Sequence, residues 1–300
     1  MKTTKKFHGI TLALAFGLTT NLKAQNIYVA NEYNGTIGEY GLDGSTINAS
    51  LISGLNDPCG IAISGNDLFV ANETGGTIGE YTLSGQTVNA SLISGLNQPV
   101  GITISGTDLF VANVGILGYD DGSIGEYGLD GSTVNASLVP GLQSIGIAVS
   151  GNDLFVLNYD MGHGSVGEYT TSGGTVNASL ISGLANPGLI AISGNDLFVA
   201  NEGTGSIGVY TTSGVSNSMF SAASGGGGPI GIALSGNDLF VTDESGIIGE
   251  YTTSGATVNA SLISGLDHPY GIAIGPAPEP CSGALAGAAA ALFWLWRRWR

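Results

Sequence analysis

Asn31, Asn72, Asn113, Asn158, Asn201 and Asp243 recur about every 40 residues, a spacing within the range of repeat architectures. Glutamate follows at Glu32, Glu73, Glu202 and Glu244. Oxygen-bearing side chains gathered at one mouth of a channel form a ring able to hold a hard cation such as Ca²⁺, which takes carboxylate and amide oxygens. The same residues have a second chemistry. Asn and Asp open turns by bonding their own backbone and by tolerating left-handed geometry. Both readings stand on the sequence alone, and inward-pointing side chains would favour the cation.

A second carboxylate series lies at Glu39, Glu80, Glu126, Glu168 and Glu250, with Val209 in its place in the fifth unit. Between residues 25 and 276 there is no Lys or Arg to pair with them. An unpaired carboxylate must reach water, backbone amides or a cation, and solvent is the expected partner here. His163 and His268 are the only histidines in that span, which excludes a three-histidine metal site. The two longest excursions and one other loop bring Tyr119, Asp120, Asp121, Tyr159, Asp160, His163, Asp267 and His268 to one face. A His–carboxylate base pair is conceivable there, as is aromatic contact with a sugar. No single catalytic cluster stands out, so a protein that is not an enzyme is expected.

These residues need a repeating scaffold, and the chain spells one. The phrase N-D-L-F-V at residues 66–70 returns at Asn152, Asn195 and Asn237, and as T-D-L-F-V at Thr107. In the second unit four short strands follow one another: G-I-A-I-S from Gly60, D-L-F-V-A from Asp67, T-I-G-E-Y-T from Thr77 and T-V-N-A-S-L-I from Thr87. Turn residues separate them, and a four-stranded meander at this period predicts a β-propeller blade. Apolar residues on both faces of D-L-F-V suit a strand sandwiched between blades, while the mixed T-V-N-A-S suits an exposed edge. Asn-Ala-Ser at Asn48, Asn89, Asn135, Asn177 and Asn259 matches the glycosylation sequon. It is read as strand chemistry copied with the repeat.

The chain starts with a second-strand phrase, N-I-Y-V-A-N from Asn26, and its last repeat fragment is an orphan inner strand, G-I-A-I from Gly271. Those offcuts complete one blade. The expected fold is all-β, a six-bladed β-propeller of four-stranded antiparallel blades over residues 25–275, with a parallel β-solenoid as the alternative. The units resemble NHL-type six-bladed propellers in the G-I-A-I at 60–63, the D-L-F-V-A-N at 67–72 and the I-G-E-Y at 78–81. The nucleic-acid-binding members of that family use basic residues, which are missing here.

Charge explains that exclusion physically. The seven Lys and Arg residues all lie before residue 25 or after residue 296, while all but one of the 23 acidic residues lie between 25 and 276. Nucleic acid and anionic lipid are poor partners for such a polyanion. Metal cations, basic proteins or neutral glycans remain. Cys59, between Pro58 and Gly60, is read as a small buried apolar residue.

The ends carry addresses. Lys2, Lys5 and Lys6 precede a short apolar run, and Leu22-Lys23-Ala24 precedes Gln25. This predicts a secretory signal peptide over residues 1–24, cut between Ala24 and Gln25. Residues 276–300 contain Pro278-Glu279-Pro280, an apolar run and then Arg297, Arg298 and Arg300. Sixteen residues or so of apolar chain approach the lower limit for a transmembrane helix. The ordered trio resembles a PEP-CTERM sorting signal, which implies an exosortase as processing partner and export to the cell surface or extracellular matrix. The reading that follows is an exported binding or structural scaffold, with a glycan or protein ligand and no cofactor other than a Ca²⁺ ion. The alternative is a metal-dependent hydrolase or lyase of the gluconolactonase-like propeller class.

Overall fold

The computed structural model describes residues 24–116, 121–160, 163–222 and 226–278, which form six four-stranded sheets. Blade one joins β1 (Gln25–Asn31), β2 (Thr36–Gly41) and β3 (Thr46–Ser53) to the last strand, β24 (Pro269–Pro276). Blade two is β4 (Pro58–Ser64), β5 (Asp67–Asn72), β6 (Thr77–Thr82) and β7 (Thr87–Ser94). Blade three is β8 (Pro99–Ser105), β9 (Asp108–Asn113), β10 (Ser123–Gly128) and β11 (Thr133–Pro140). Blade four is β12 (Ser144–Ser150), β13 (Asp153–Asp160), β14 (His163–Thr170) and β15 (Thr175–Ala185). Blade five is β16 (Pro187–Ser193), β17 (Asp196–Asn201), β18 (Ser206–Thr211) and β19 (Ser216–Ser221). Blade six is β20 (Pro229–Ser235), β21 (Asp238–Asp243), β22 (Ile247–Thr252) and β23 (Thr257–Ser264).

The ring closes where expected. Ile27 pairs with Ile274, Tyr28 with Ala273 and Val29 with Ile272, all antiparallel. The inner strands start earlier than the G-I-A-I phrase, most of them at a proline, which is tolerated at the first residue of a strand because no ladder N–H is lost there.

Each second strand is buried on both sides. Leu68, Phe69 and Val70, and their equivalents through Leu239, Phe240 and Val241, fill the space between neighbouring sheets. The phenylalanine points to one neighbouring blade and the leucine and valine to the other, so one five-residue phrase serves both interfaces. Inner strands crowd at the axis. A Cβ on Gly271 would lie 1.9 Å from the Cys59 carbonyl oxygen, and one on Gly60 would lie 2.3 Å from that of Val100. Only glycine fits such an approach. The channel below is lined by Ile61, Ile102, Ile147, Ile190, Ile232 and Ile272 around a cavity of about 190 Å³.

Glu80, Glu126, Glu168 and Glu250 are partly exposed, as expected, with carboxyls raised by partial burial and then by Asp67, Asp108, Asp153 and Asp238 respectively. Glu39 departs from that expectation and is buried. In blade one Asn26 and Tyr28 replace the aspartate and phenylalanine of the other blades, and both donate to Glu39 Oε1, at 2.7 and 3.3 Å.

The expected leader, Glu279, Pro280 and the terminal arginines lie outside the described residues. Ala24 and Pro278 fall inside them, and Ala24 accepts a backbone hydrogen bond from Ala277 at 2.7 Å. Among the described residues no helix is long and apolar enough to cross a membrane.

Candidate functional site

One backbone hydrogen bond, repeated in all six blades, builds the mouth of the channel. The residue after the strand-end Asn or Asp donates its N–H to the carbonyl of the residue preceding the inner strand. The pairs are Glu32–His268, Glu73–Asp57, Val114–Gln98, Tyr159–Gln143, Glu202–Asn186 and Glu244–Gly228, at 2.8–3.3 Å. The backbone is the same in each blade. The side chains are not, and no two pairs are alike.

Four of these residues take left-handed backbone, with φ of 49° at Asp57, 54° at Gln98, 44° at Asn186 and 52° at His268, each directly before a proline. Non-glycine residues rarely adopt that conformation, and where they do they are commonly held at functional sites by their surroundings. The turn-and-proline frame holds the side chains of Asn186 and His268 on the mouth.

Around the ring the pairs sort into two arcs. Blades five, six, one and two contribute Glu202, Glu244, His268 (paired behind the lining with Glu32) and Glu73. Blades three and four contribute Val100, Val114, Ile145 and Tyr159. Together with Ile230 and Tyr270 they line a cavity of about 230 Å³. Its floor is apolar, since Cys59, Val100 and Val114 pack with Ile145 and Tyr270 above the isoleucine channel.

The electrostatics follow from burial and the absence of cations. Burial, and then the neighbouring Glu244, push the Glu202 carboxyl up, while Asn186 Nδ2 donates to Glu202 Oε1 and opposes the shift. Burial also raises Glu73. His268 Nδ1 lies 2.6 Å from Glu32 Oε2, and this hydrogen bond raises the imidazole against the opposing effect of burial. Tyr33 stacks on that imidazole with ring centroids 4.2 Å apart. Cys59 is fully buried, as its sequence setting suggests, and burial pushes its thiol well up. Its Sγ also donates to Glu73 Oε2 at 3.4 Å. One ligand atom each from Glu32, Cys59 and Glu73 lie within 4.8 Å of one another, close enough to share a metal ion.

The strand-end residues themselves sit differently. Asn31, Asn72, Asn113, Asn201 and Asp243 are buried in the strand ends, one position before the residues that face the mouth. Asp243 Oδ1 accepts from the Ser245 N–H at 2.9 Å, the Ser245 hydroxyl at 2.5 Å and the Ile247 N–H at 3.2 Å, which is turn chemistry. The Oδ1 atoms of Asn31, Asn72, Asn113, Asn158 and Asn201 are buried without a hydrogen-bond partner. Asp121 closes its own loop by accepting from Ile116 N at 2.8 Å, and His163 is exposed at the start of β14. Tyr119 and Asp120 lie outside the described residues.

Sequence reasoning marked Glu32, Glu73, Glu202, Glu244, Tyr159 and His268 but missed their union with Asn186, Tyr270 and Cys59. The signal was available: the residues flanking each inner-strand proline or serine are the ones that change from blade to blade.

The fold has solved counterparts. A chain of a nidogen–laminin complex superposes with a TM-score of 0.66 at 16% identity, covering 85% of this chain and 100% of that one. A streptogramin B lyase gives 0.53 at 19% identity, covering 85% and 74%. The hydrazine synthase of Kuenenia stuttgartiensis gives 0.57 at 15%, covering 76% and 74%. No protein-family model and no curated protein matches the chain. Likeness at these identities shows the propeller fold and nothing finer.

Proposed function

We propose that this protein is an exported cell-surface or matrix scaffold whose propeller binds a ligand at the channel mouth. The observation that carries this reading is the break in symmetry there. Six blades keep one backbone frame and five of them one core phrase, yet the side chains vary at the paired positions, seven of which face a single cavity: Glu73, Val114, Tyr159, Asn186, Glu202, Glu244 and His268. Packing alone would copy those residues as faithfully as it copies Leu-Phe-Val.

The donor set suits a ligand with a cationic end and an apolar or aromatic body. Carboxylates and an imidazole form one arc, and valine, isoleucine and tyrosine form the other. A Ca²⁺ ion, a basic side chain of a protein or a sugar against the tyrosines meets part of that description, and an anionic ligand meets none. Export and exosortase processing rest on the two chain ends, and cell fractionation with and without residues 276–300 tests them.

The His268–Glu32 pair and the Glu32–Cys59–Glu73 cluster favour a second reading, a metal-dependent hydrolase or lyase. A metal held by those three side chains would supply Lewis acidity, and His268 could move a proton at Nδ1. Thermal-shift screening against Ca²⁺, Zn²⁺ and alkylammonium ions, run beside turnover assays on lactones and glycosides, separates the two. The scaffold reading expects stabilisation without turnover. Efficient turnover that Glu73→Gln abolishes would replace it with the enzyme.

A further inference from the structure

Each blade ends in an outer strand whose free N–H and C=O groups could template another strand. Five of the six edges are blunted in the same way. The asparagine of Asn-Ala-Ser turns its Oδ1 back to accept the N–H of the serine two residues on, at Ser50, Ser91, Ser137, Ser179 and Ser261, each at 3.1 Å. At the same place the pairing slips. In blade two it moves from Ile78↔Ile93 to Glu80↔Asn89, so residues 89–93 of the outer strand oppose residues 78–80. Such bulges twist an edge away from regular pairing. The motif that matches a sequon therefore has an edge-protecting role.

Blade five has lost the asparagine cap and one of the two slips, keeping only the slip between Val209 and Tyr210. Its outer strand reads S-N-S-M-F-S, and Asn217 Nδ2 donates to Asp196 Oδ1 at 3.0 Å instead of closing on its own strand. Pairing with β18 runs unbroken from Val209↔Ser218 to Ser206↔Ser221. Val209 stands where five blades have a glutamate beside the edge. Met219 is 61% exposed and Val215 60%. Over residues 218–221 this is a regular, uncharged edge with an exposed apolar side chain, which is what strand addition requires.

We propose that β19 is a docking edge for an extended polypeptide segment carrying Lys or Arg. Charge selects that occupant. Residues 25–276 hold all but one of the 23 acidic side chains and no Lys or Arg, so a second copy of this chain is repelled and a cationic strand is attracted. Backbone pairing along residues 218–221 supplies affinity, and Met219 contacts apolar side chains of the incoming strand, with Val215 exposed in the turn before β19.

The test uses the full chain and a fluorescent peptide, Lys-Val-Thr-Val-Thr-Lys, followed by anisotropy. In one variant residues 86–94 of blade two replace residues 215–221, restoring the missing slip and the Asn-Ala-Ser cap. In a second, Met219→Lys places a repelling charge on the edge with little demand on folding. Saturable binding by the wild type, weakened at least tenfold in both variants and at least tenfold when the peptide lysines become glutamates, supports the proposal. Equal binding to wild type and variants marks non-specific attraction to a polyanion and overturns it. So does equal binding of the glutamate peptide, or wild-type self-association through this edge in sedimentation velocity.

Discussion

His268 and Glu32 are 236 positions apart in the chain, yet Nδ1 and Oε2 meet at 2.6 Å across the seam where blade six joins blade one. Ring closure thus assembles part of the mouth. The β1–β24 pairing that shuts the propeller also brings an imidazole from the last loop to a carboxylate from the first.

That contact has a pH signature. The folded-state value of His268 lies above its ordinary 6.5, so the stability it contributes is complete below about 6.5 and is lost as pH rises through the higher folded value. Glu73 and Glu202 are raised above 4.5, and their contribution likewise is present below that value and lost as pH rises. Urea midpoints measured from pH 4 to pH 9 should therefore fall. Glu202→Gln should flatten the acidic part of the curve and His268→Gln the part above 6.5. A midpoint that rises across this range would show that the mouth groups are not held as described.

The inner strands make a steric prediction. Gly271→Ala forces a Cβ to within 1.9 Å of a backbone oxygen, whereas the equivalent Gly146→Ala meets nothing nearer than 3.4 Å. Blade five explains the difference, because its inner strand reads P-G-L-I and places its glycine, Gly188, one position earlier. Gly271→Ala should cost at least about 1–3 kcal/mol, as overpacking does, and Gly146→Ala much less. Chemical denaturation of the two variants checks this ordering.

Blade one carries a buried carboxylate that the others expose. Asn26→Ala removes the 2.7 Å donor to Glu39 and should destabilise the chain by about 1–3 kcal/mol, the cost of an unmet buried polar group. The double variant Asn26→Ala/Glu39→Ala should recover part of that loss, measured as a double-mutant cycle. Full additivity would mean that the two side chains do not interact.

Fold and site differed in legibility. The buried N-D-L-F-V phrase and the split first blade announced six blades and their closure, because repeated burial demands repeated residues. The mouth was half legible. Glu32, Glu73, Glu202 and Glu244 stood out as a series, but their partners Asp57, Asn186 and His268 sit before prolines at the far end of each unit. A backbone bond joins the two positions in every blade, with side-chain bonds added at His268–Glu32 and Asn186–Glu202, and no local periodicity encodes it. Glu39 was misread for a similar reason, since its burial depends on Asn26 and Tyr28, which depart from the repeat. Asn-Ala-Ser was recognised as strand chemistry, while its hydrogen bond to the edge required coordinates.

Isothermal titration of the full chain with Ca²⁺ and, separately, tetramethylammonium addresses the mouth most directly. Wild type should bind at least one of them saturably, Glu202→Gln/Glu244→Gln should weaken that binding at least tenfold, and Asn113→Ala in the strand-end series should leave it unchanged. No saturable binding of either ion, or equal affinity in the glutamine variant, would contradict a cation-selective mouth.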